Sequence, residues 1–571
     1  MATKTIESGT VADAYLAILK DRGVDYFFGN AGTDFAPIIE AFARAHAEGT
    51  PAPIPLMVPH ENVAINMALG YYIIKGRPQV VMVHVNAGTA NAICGLINAS
   101  KGNLPVLFTA GRTPYTEEGD TPGMRSREVH WPQEMRDQNA MVREMVKWDY
   151  ELPSGAVVET AVDRALNVAM SSPRGPVYMT LPREPLAAAV ENFQYQSPSL
   201  RRVPAPAHPD PAAIDEAAAM LAKAERPLII ASNFGAQPAD GRALAELAER
   251  YAVPVSQRKP RFVSLPSAHP MHIGYDPDPY LDKADLIVVL EADVPWIPSM
   301  KAPGADCKII HIGADPIFES YPIRGFRCDL AITGLPKATL TAISGAMAEH
   351  EKSAKTRIDA RRKRIADEVA GLREKWKAQL EEAKSAGPIH PVWISHCIDR
   401  IKGDNPIIIK ESGIQLQHLN ITETDTVFTG GAGGGLGYGL GTALGAKLAA
   451  PDRLVICTQG DGAYHYGNPV PSHYVAKAEG LPMLTVVFNN ARWDAVRRNT
   501  RAVYPDGYAS RSNREPLTYF EPGVAYEHAV EVVGGYGECV EDPEELPRAL
   551  DRAMDAIESE DRQALLNVIT A

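Results

Sequence analysis

The sequence predicts an α/β protein built from three doubly wound domains, each with a parallel sheet between layers of helices. Two observations support this fold class. Apolar runs of strand length alternate with helical periodicity in three successive blocks, and glycine-rich turns follow several of those runs. The 571 residues are 45% hydrophobic and 22% charged, which supplies enough apolar material for several globular cores.

The first block is predicted to be a domain over residues 1–190. An amphipathic helix is expected at 11–20, and a short strand at 26–28 leads into a glycine-containing turn. Further strands are expected at 80–85, 104–110 and 177–181, with helices at 62–74 and 90–100. The polar, proline-containing stretch 196–211 indicates a linker.

A second domain is predicted over 200–348 and a third over 389–571, joined by a charged linker helix over 349–388. The apolar residues of that helix fall on one face, and we assign it no chemistry: Ile358, Ile365, Val369, Leu372 and Trp376. The clearest strands are expected at 228–231, 284–291, 308–312, 407–409, 454–457, 484–488 and 565–569. The run 429–445 is the most glycine-rich stretch of the chain.

Charge and composition exclude several classes of partner. The formal net charge is -13, which disfavours nucleic acid or an anionic membrane as the main partner. No apolar run is long enough to cross a bilayer, and the first residues lack the apolar core of a signal peptide. The six cysteines form no CxxC pair, so no zinc or redox motif is expected. With neither a signal peptide nor a spanning segment, a reducing, cytoplasmic setting is the default expectation.

Two motifs follow predicted strands of the third domain. Gly460-Asp461-Gly462 comes directly after one strand, and Asn489-Asn490 follows the next strand after 26 intervening residues. Ligands of open parallel sheets bind at the carboxyl ends of the strands. One carboxylate and one amide oxygen suit Mg²⁺ bound to a diphosphate, and Gly462 allows close approach of the backbone. The alternative is an ordinary strand–turn–helix junction.

The paired motifs resemble the signature of thiamine diphosphate (ThDP)-dependent enzymes. The resemblance implies that Mg²⁺ is held by Asp461, Asn490 and the backbone carbonyl of Arg492. It also implies that Gly460, Gly462 and Ala463 contact the cofactor.

Other parts of the chain extend this resemblance. Glu61, in Pro59-His60-Glu61-Asn62, is similar to the family's glutamate that contacts the aminopyrimidine ring. The resemblance implies that the carbonyl of Gly434 accepts a hydrogen bond from the cofactor and that Leu436 wedges it into a bent shape. Gly413 and Ile414 are expected in a second loop on the phosphate side.

The resemblance covers almost the whole chain and implies a pyrimidine-binding, a central and a diphosphate-binding domain. It implies a cofactor held between two subunits, with Glu61 from one and Asp461 from the other. The expected assembly is at least a homodimer and commonly a homotetramer. The segment 231–236 has no dinucleotide-binding glycine pattern, so FAD is not expected.

Two motifs of the first domain resemble the benzoylformate decarboxylase branch of this family. They are Phe28-Gly29-Asn30-Ala31-Gly32-Thr33 and His84-Val85-Asn86-Ala87-Gly88-Thr89. The resemblance implies that Thr33 and His84 contact substrate and handle protons. The alternatives are a helix N-cap for Thr33 and a structural core residue for His84. Asn30 and Ala31 would line the substrate pocket.

Other features depart from that branch. The stretch 294–301 lacks the second histidine expected there. His465 is a candidate second proton carrier, or else a structural residue. The expected pocket residues Trp493, Asp494, Ala495 and Val496 include an unusual carboxylate. The loop 114–138 contains Arg125, His130 and Gln133-Glu134, the last similar to acetolactate synthases, and we interpret it as a solvated loop or a cationic cover over a carboxylate substrate.

These features favour a decarboxylase or carboligase that acts on a small 2-oxo acid. One alternative is a ThDP-dependent lyase or hydrolase of a 2-hydroxyacyl compound or a diketone. Another is a degenerate, non-enzymatic regulatory subunit. The joint presence of Glu61, Asp461 and Asn490 argues against that last alternative.

Overall fold

The computed structural model describes residues 2–235, 238–430 and 433–570. Within these ranges the chain forms three parallel-sheet α/β domains, which confirms the predicted fold class. Ala236 of the segment inspected for a dinucleotide pattern, and Gly431 and Ala432 of the glycine-rich run, lie outside the described residues.

In the first domain a parallel sheet has the strand order β3-β2-β4-β5-β7-β6, and β1 pairs with β8 in a separate antiparallel ribbon. The strands are β1 (Ala2–Thr10), β2 (Tyr26–Gly29), β3 (Ile54–Met57), β4 (Val80–Val83), β5 (Leu107–Arg112), β6 (Asp149–Glu151), β7 (Val177–Pro182) and β8 (Ala189–Ser197). The helices are α1 (Val11–Asp21), α2 (Ala36–Glu48), α3 (Glu61–Lys75), α4 (Val85–Lys101), α5 (Val158–Met170) and α6 (Arg183–Ala187).

The central domain has a parallel sheet of order β10-β9-β11-β12-β13. Its strands are β9 (Pro227–Ala231), β10 (Val255–Gln257), β11 (Leu286–Leu290), β12 (Lys308–Gly313) and β13 (Leu330–Thr333). Its helices are α7 (Pro211–Lys223), α8 (Pro238–Tyr251), α9 (Asp278–Leu281) and α10 (Pro336–Ala383).

The third domain has a parallel sheet of order β15-β14-β16-β17-β19-β18. Its strands are β14 (Ile407–Lys410), β15 (Val427–Thr429), β16 (Val455–Gly460), β17 (Leu484–Asn489), β18 (Tyr536–Val540) and β19 (Ala564–Ile569). Its helices are α11 (Pro391–Ile401), α12 (Tyr438–Ala449), α13 (Asp461–Tyr466), α14 (Pro469–Ala478), α15 (Asp494–Val503), α16 (Tyr508–Ser512), α17 (His528–Glu531) and α18 (Leu546–Glu558).

The structure differs from the sequence predictions at several element ends. The helix expected from residue 349 already begins at Pro336, because the last helix of the central domain continues through the linker without a break. The strand expected at 80–85 ends at Val83, because Val85 has a φ of 38° and starts α4. The β1–β8 ribbon was not predicted, since its residues are mostly exposed and lack a clear alternation.

No helix in the described ranges combines the length and the apolar character needed to cross a membrane.

The first and third domains meet through helices α3 and α12, whose backbones are in direct contact. A Cβ atom at Gly70 would lie 2.0 Å from the carbonyl oxygen of Thr442, and one at Gly445 would lie 1.9 Å from the carbonyl oxygen of Met67. A Cβ atom at Gly441 would lie 2.7 Å from the side chain of Asn66. Glycine is therefore required where the two helices cross, because any larger residue would force them apart.

We expect Gly70→Ala to lower the free energy of unfolding by about 1–3 kcal/mol, since the added methyl group overlaps a backbone atom that cannot rotate away. Thermal unfolding followed by circular dichroism measures the change. Gly371→Ala is the matched control, because Gly371 is an exposed helical glycine with no atom near its Cβ position. The control is expected to leave the protein equally stable or more stable by up to about 1 kcal/mol. Equal melting temperatures for the two variants would contradict the α3–α12 contact.

Candidate active site

Asp461 and Asn490 lie at the carboxyl ends of neighbouring strands. Asp461 follows β16 and begins α13, whereas Asn490 follows β17. The Asp461 side chain is buried; its Oδ1 accepts the N–H of Gly462 at 2.7 Å, and its Oδ2 has no hydrogen-bond partner in the part of the chain that the structure describes. Burial raises the pKa of this carboxyl group, and the N–H groups of Gly462 and residues 490–492 oppose that rise. A buried oxygen without a partner fits the binding of a cation.

The turn after β17 contains the other two predicted metal ligands. Asn490 Oδ1 accepts the N–H of Arg492 at 3.2 Å, and the carbonyl of Arg492 accepts the N–H of Asp494 at 3.0 Å. Ala491 between them has a φ of 53°, which is uncommon for a residue with a side chain. Strain of this kind persists where the surrounding structure holds a functional geometry in place.

The donor set fits Mg²⁺ better than a metal that prefers nitrogen or sulfur. Within the described ranges, no group of three or more His, Cys, Asp or Glu side chains is arranged to hold a metal ion. One carboxylate, one amide oxygen and one carbonyl leave the remaining octahedral positions for phosphate oxygens and water, as Mg²⁺ prefers.

The loop after β14 is tied to both α12 and β16. The carboxylate of Glu411 accepts the N–H groups of residues 437, 438 and 439 at 2.7, 3.2 and 2.8 Å, and so caps the start of α12. Burial raises the pKa of Glu411 to about 7. Ser412 Oγ accepts the N–H of Gly460. The capping role of Glu411 was not predicted from the sequence.

The predicted phosphate-side residues of this loop have different environments. Gly413 has a φ of 84°, and a Cβ atom there would lie 2.4 Å from the ring of Phe488, so only glycine fits. Ile414 is fully buried in the core of the third domain. Gly460 and Ala463 flank Asp461 at the start of α13, where N–H groups can face an anion.

Glu61 is the first residue of α3 and is buried, and its Oε2 accepts a hydrogen bond from Asn91 Nδ2 at 3.1 Å. The neighbouring Asn62 donates from Nδ2 to the carbonyl of Tyr466, at 3.4 Å. Tyr466 is the last residue of the helix that Asp461 begins. The structure therefore places the start of α3 beside the end of α13 within one chain.

The glycine-rich segment packs along α4 of the first domain. Asn98 donates from Nδ2 to the carbonyl of Gly435 at 2.6 Å and accepts the N–H of Gly435 at 3.1 Å. The Cys94 thiol contacts the carbonyl of Leu436 at 3.6 Å. Gly434 has a φ of 77° and open space around it, and Leu436 is half-buried. Both predicted cofactor contacts thus lie on a loop that α4 holds in place.

His84 lies between two side chains that the sequence did not assign to it. Its Nδ1 lies 2.5 Å from Asp34 Oδ1, and its Nε2 lies 3.0 Å from Gln133 Nε2. The hydrogen bond to Asp34 raises the pKa of His84, and the negative charges of Asp34 and Glu61 act in the same direction against burial. The interpretation of 114–138 as a solvated loop is wrong at Gln133, because this residue contacts His84.

The other first-domain candidates are more exposed. Thr33 begins a short 3-10 turn that Gly32 caps, and its hydroxyl lies 3.5 Å from His130 Nε2. The N-cap alternative for Thr33 is therefore wrong. Asn30 is half-buried and donates its N–H to the carbonyl of Met82, whereas Ala31 is exposed.

The remaining third-domain candidates form an aromatic and ionic surface. His465 is exposed, and its Nε2 lies 2.9 Å from the hydroxyl of Tyr526. Trp493 packs edge-on against the rings of Tyr466 and Phe520.

Asp494 begins α15 and pairs with arginines. Its carboxylate lies 3.0 Å from Arg498 and 3.5 Å from Arg492. Ala495 and Val496 are exposed on the same helix.

Comparison with protein families accounts for all three domains. The N-terminal TPP binding domain of thiamine pyrophosphate enzymes matches residues 9–141, the central domain of these enzymes matches 214–343, and their C-terminal TPP binding domain matches 412–568. The chain therefore belongs to the thiamine pyrophosphate, or ThDP, enzyme family. This agrees with the family resemblance of the motifs around Glu61, Asp461 and Asn490.

Full-length relatives span several activities within this family. Benzoylformate decarboxylase from Pseudomonas aeruginosa is 27% identical over 514 residues, which cover 86% of this chain and 87% of the relative. The acetolactate synthase large subunit of Haemophilus influenzae is 22% identical, covering 95% of this chain and 91% of the relative. Sulfoacetaldehyde acetyltransferase from Alcaligenes xylosoxydans xylosoxydans is 25% identical, and the match covers 98% of this chain and 93% of the relative.

A solved structure shows the same fold over nearly the whole chain. The ThDP-dependent 4-hydroxybenzoylformate decarboxylase of Rhodococcus jostii RHA1 has a TM-score of 0.75 and 22% identity, and the match covers 98% of this chain and 99% of that one.

We expect Asp461→Ala to abolish the rise in melting temperature that Mg²⁺ and ThDP together produce, because the only carboxylate of the predicted ligand set is lost. Without ligands the variant should be about as stable as the parent, since it loses the bond from the N–H of Gly462 but also a buried carboxylate oxygen that has no partner among the described residues. Differential scanning calorimetry with and without ligands measures both effects. Asp551→Ala, at an exposed position of α18, is the control and should keep the full ligand-induced rise. A similar rise in the Asp461 variant would exclude this carboxylate as a ligand.

Proposed function

We propose that this protein is a Mg²⁺- and ThDP-dependent enzyme that cleaves or forms a carbon–carbon bond at a small 2-oxo acid. The observation that carries the proposal is the buried Oδ2 of Asp461, which has no partner within residues 2–235, 238–430 and 433–570 and lies beside Asn490 at the carboxyl end of a parallel sheet. Similarity to a benzoylformate decarboxylase and to an acetolactate synthase supports a decarboxylase or carboligase.

Each residue has a distinct role in this proposal. Asp461, Asn490 and the carbonyl of Arg492 would hold the metal ion and, through it, the diphosphate. Glu61 would place a carboxyl group against the pyrimidine ring, with Gly434 facing the same ring. When bound, the cofactor supplies an electron sink for the electron pair released as the carbon–carbon bond breaks.

His84 is proposed to move a proton at the reacting carbon. Its pKa is raised by Asp34, so the ring holds a proton at higher pH than an ordinary histidine does, which suits the role of a general acid. Thr33, Trp493 and Val496 would border the substrate. His465 stays a candidate second proton carrier, because its ring is exposed and near Tyr526.

We expect Glu61→Gln to bind ThDP with Mg²⁺ but to lose activity by a factor of about 100 or more, because the amide cannot exchange a proton with the pyrimidine. Activity is measured as CO₂ release from a panel of 2-oxo acids, each with and without an aldehyde acceptor, and binding is measured by calorimetry. Glu48→Gln, at the exposed end of α2, is the matched control. Full activity of the Glu61 variant on the best substrate would exclude its proposed role.

We further propose that the protein is at least a homodimer, commonly a homotetramer as the resemblance implies, in which the α3–α12 contact forms between two copies. The same surfaces that meet within one chain can be exchanged between identical chains. Each complete site would then combine Glu61 of one copy with Asp461 of the other.

Mixing Glu61→Gln and Asp461→Ala chains during refolding tests this arrangement. Each variant alone is expected to be inactive, whereas the equimolar mixture should recover about one quarter of the parent activity, because half of randomly paired dimers contain one complete site. A mixture that stays inactive, although size-exclusion chromatography shows mixed dimers, would mean that the site is built within one chain.

A further inference from the structure

The imidazole of His84 is held at both ring nitrogens by residues from two other segments. Asp34 contacts Nδ1 from the connection after β2, and Gln133 contacts Nε2 from the loop before β6. The main chain of the same loop is fixed as well, because Asn86 donates from Nδ2 to the carbonyl of Gln133 at 3.1 Å. The ring orientation of His84 is therefore determined by residues that are distant in sequence.

Two glycines make room for this arrangement. A Cβ atom at Gly32 would lie 2.1 Å from His84 Nδ1, and one at Gly111 would lie 1.7 Å from Asp34 Oδ2. Asp34 is buried, and its Oδ2 has no hydrogen-bond partner among the described residues. The backbone on both sides is thus shaped around the Asp34–His84 pair.

The partners determine where the protons lie. An ionised carboxylate only accepts hydrogen bonds, so the Nδ1 of His84 carries the proton shared with Asp34. The Oε1 of Gln133 is buried and has no partner among the residues whose positions are described, and a half-turn of the carboxamide exchanges its nitrogen and oxygen positions. In that orientation Oε1 of Gln133 accepts a hydrogen bond from a protonated Nε2 of His84. The doubly protonated ring then donates one hydrogen bond to Gln133 and one to Asp34.

Charged groups from several elements face this ring. Asp34 and Glu61 favour the protonated form of His84 and raise its pKa, whereas burial lowers it. His130, on the same loop as Gln133, has its pKa lowered by burial and by the positive charges of Arg183, Arg125 and His84. Arg183, at the start of α6, also interacts with the charge of Asp34. Asp34 is the carboxylate in direct contact with the ring.

We propose that Asp34 is a positioning residue that fixes the tautomer and orientation of His84, so that Nε2 exchanges the proton at the reaction centre and Gln133 is its resting partner. The reaction step rests on the proposed function, whereas the positioning does not. As the proton is delivered, the Nε2–H bond breaks and the proton bonds to the carbon that holds the electron pair left by carbon–carbon cleavage. The neutral ring keeps its Nδ1 proton, which is hydrogen-bonded to Asp34, and takes up a new Nε2 proton from water.

The first test measures the pKa of His84 without cofactor. Diethyl pyrocarbonate acylates neutral imidazole, so the rate of modification of His84, followed by peptide mass spectrometry, rises as pH passes its pKa. Asp34→Asn preserves the shape of the side chain but removes its negative charge. The pH midpoint of His84 modification is therefore expected to fall by about one pH unit or more. Asp25→Asn is the control, because Asp25 is bound by Tyr71 and Arg77 instead. An unchanged midpoint in the Asp34 variant would overturn the proposal.

The second test uses the holoenzyme and its best 2-oxo acid. Asp34→Asn is expected to lower kcat by about tenfold or more with little change in KM, and to move the alkaline limb of the pH profile to lower pH, because the ring loses its proton earlier. Gln133→Ala leaves Asp34 in place, so the alkaline limb of its pH profile should lie within about half a pH unit of the parent's. If Asp34→Asn shifts the midpoint of His84 modification but leaves kcat and the alkaline limb of the pH profile unchanged, the proposed role of Asp34 in the reaction would be overturned. A shifted midpoint in a protein inactive on every 2-oxo acid would support positioning and refute the proposed function.

Discussion

The direct contact between α3 and α12 is the constraint on which the candidate site depends. Glu61 begins one of these helices, and the loop with Gly434 and Leu436 leads into the other. Because the helices touch through glycines, their first turns are brought together without intervening side chains. This contact holds the first domain, with Glu61, against the third domain, with Asp461.

The candidate site contains features that are costly for folding. Asp461 and Asp34 each have a buried carboxylate oxygen without a partner in the described ranges, which is unfavourable for folding. Val85 and Ala491 have positive φ angles directly beside His84 and Asn490. Conformations of this kind persist only where the surrounding structure imposes them, and they cluster at functional sites.

The sequence predicted the part of the site that follows from local rules. Asp461 and Asn490 each follow an apolar strand, and parallel strands align their carboxyl ends, so their proximity could be inferred. The Asp34–His84 pair could not, because it joins residues fifty positions apart through a gap left by Gly111. The contact of Gln133 with His84 also depends on the path of an irregular loop, which periodicity does not describe.

The continuous helix α10 limits the sequence changes that the link between the central and third domains can accept. Its 48 residues correspond to a rod about 72 Å long, running from the last strand of the central domain towards the third domain. Inserting a single residue in the middle of such a rod would turn everything beyond it by about 100° and advance it by about 1.5 Å. Residues on the solvent side of α10 can therefore be substituted freely. The number of residues in the helix cannot change without rotating the part of the chain that follows it.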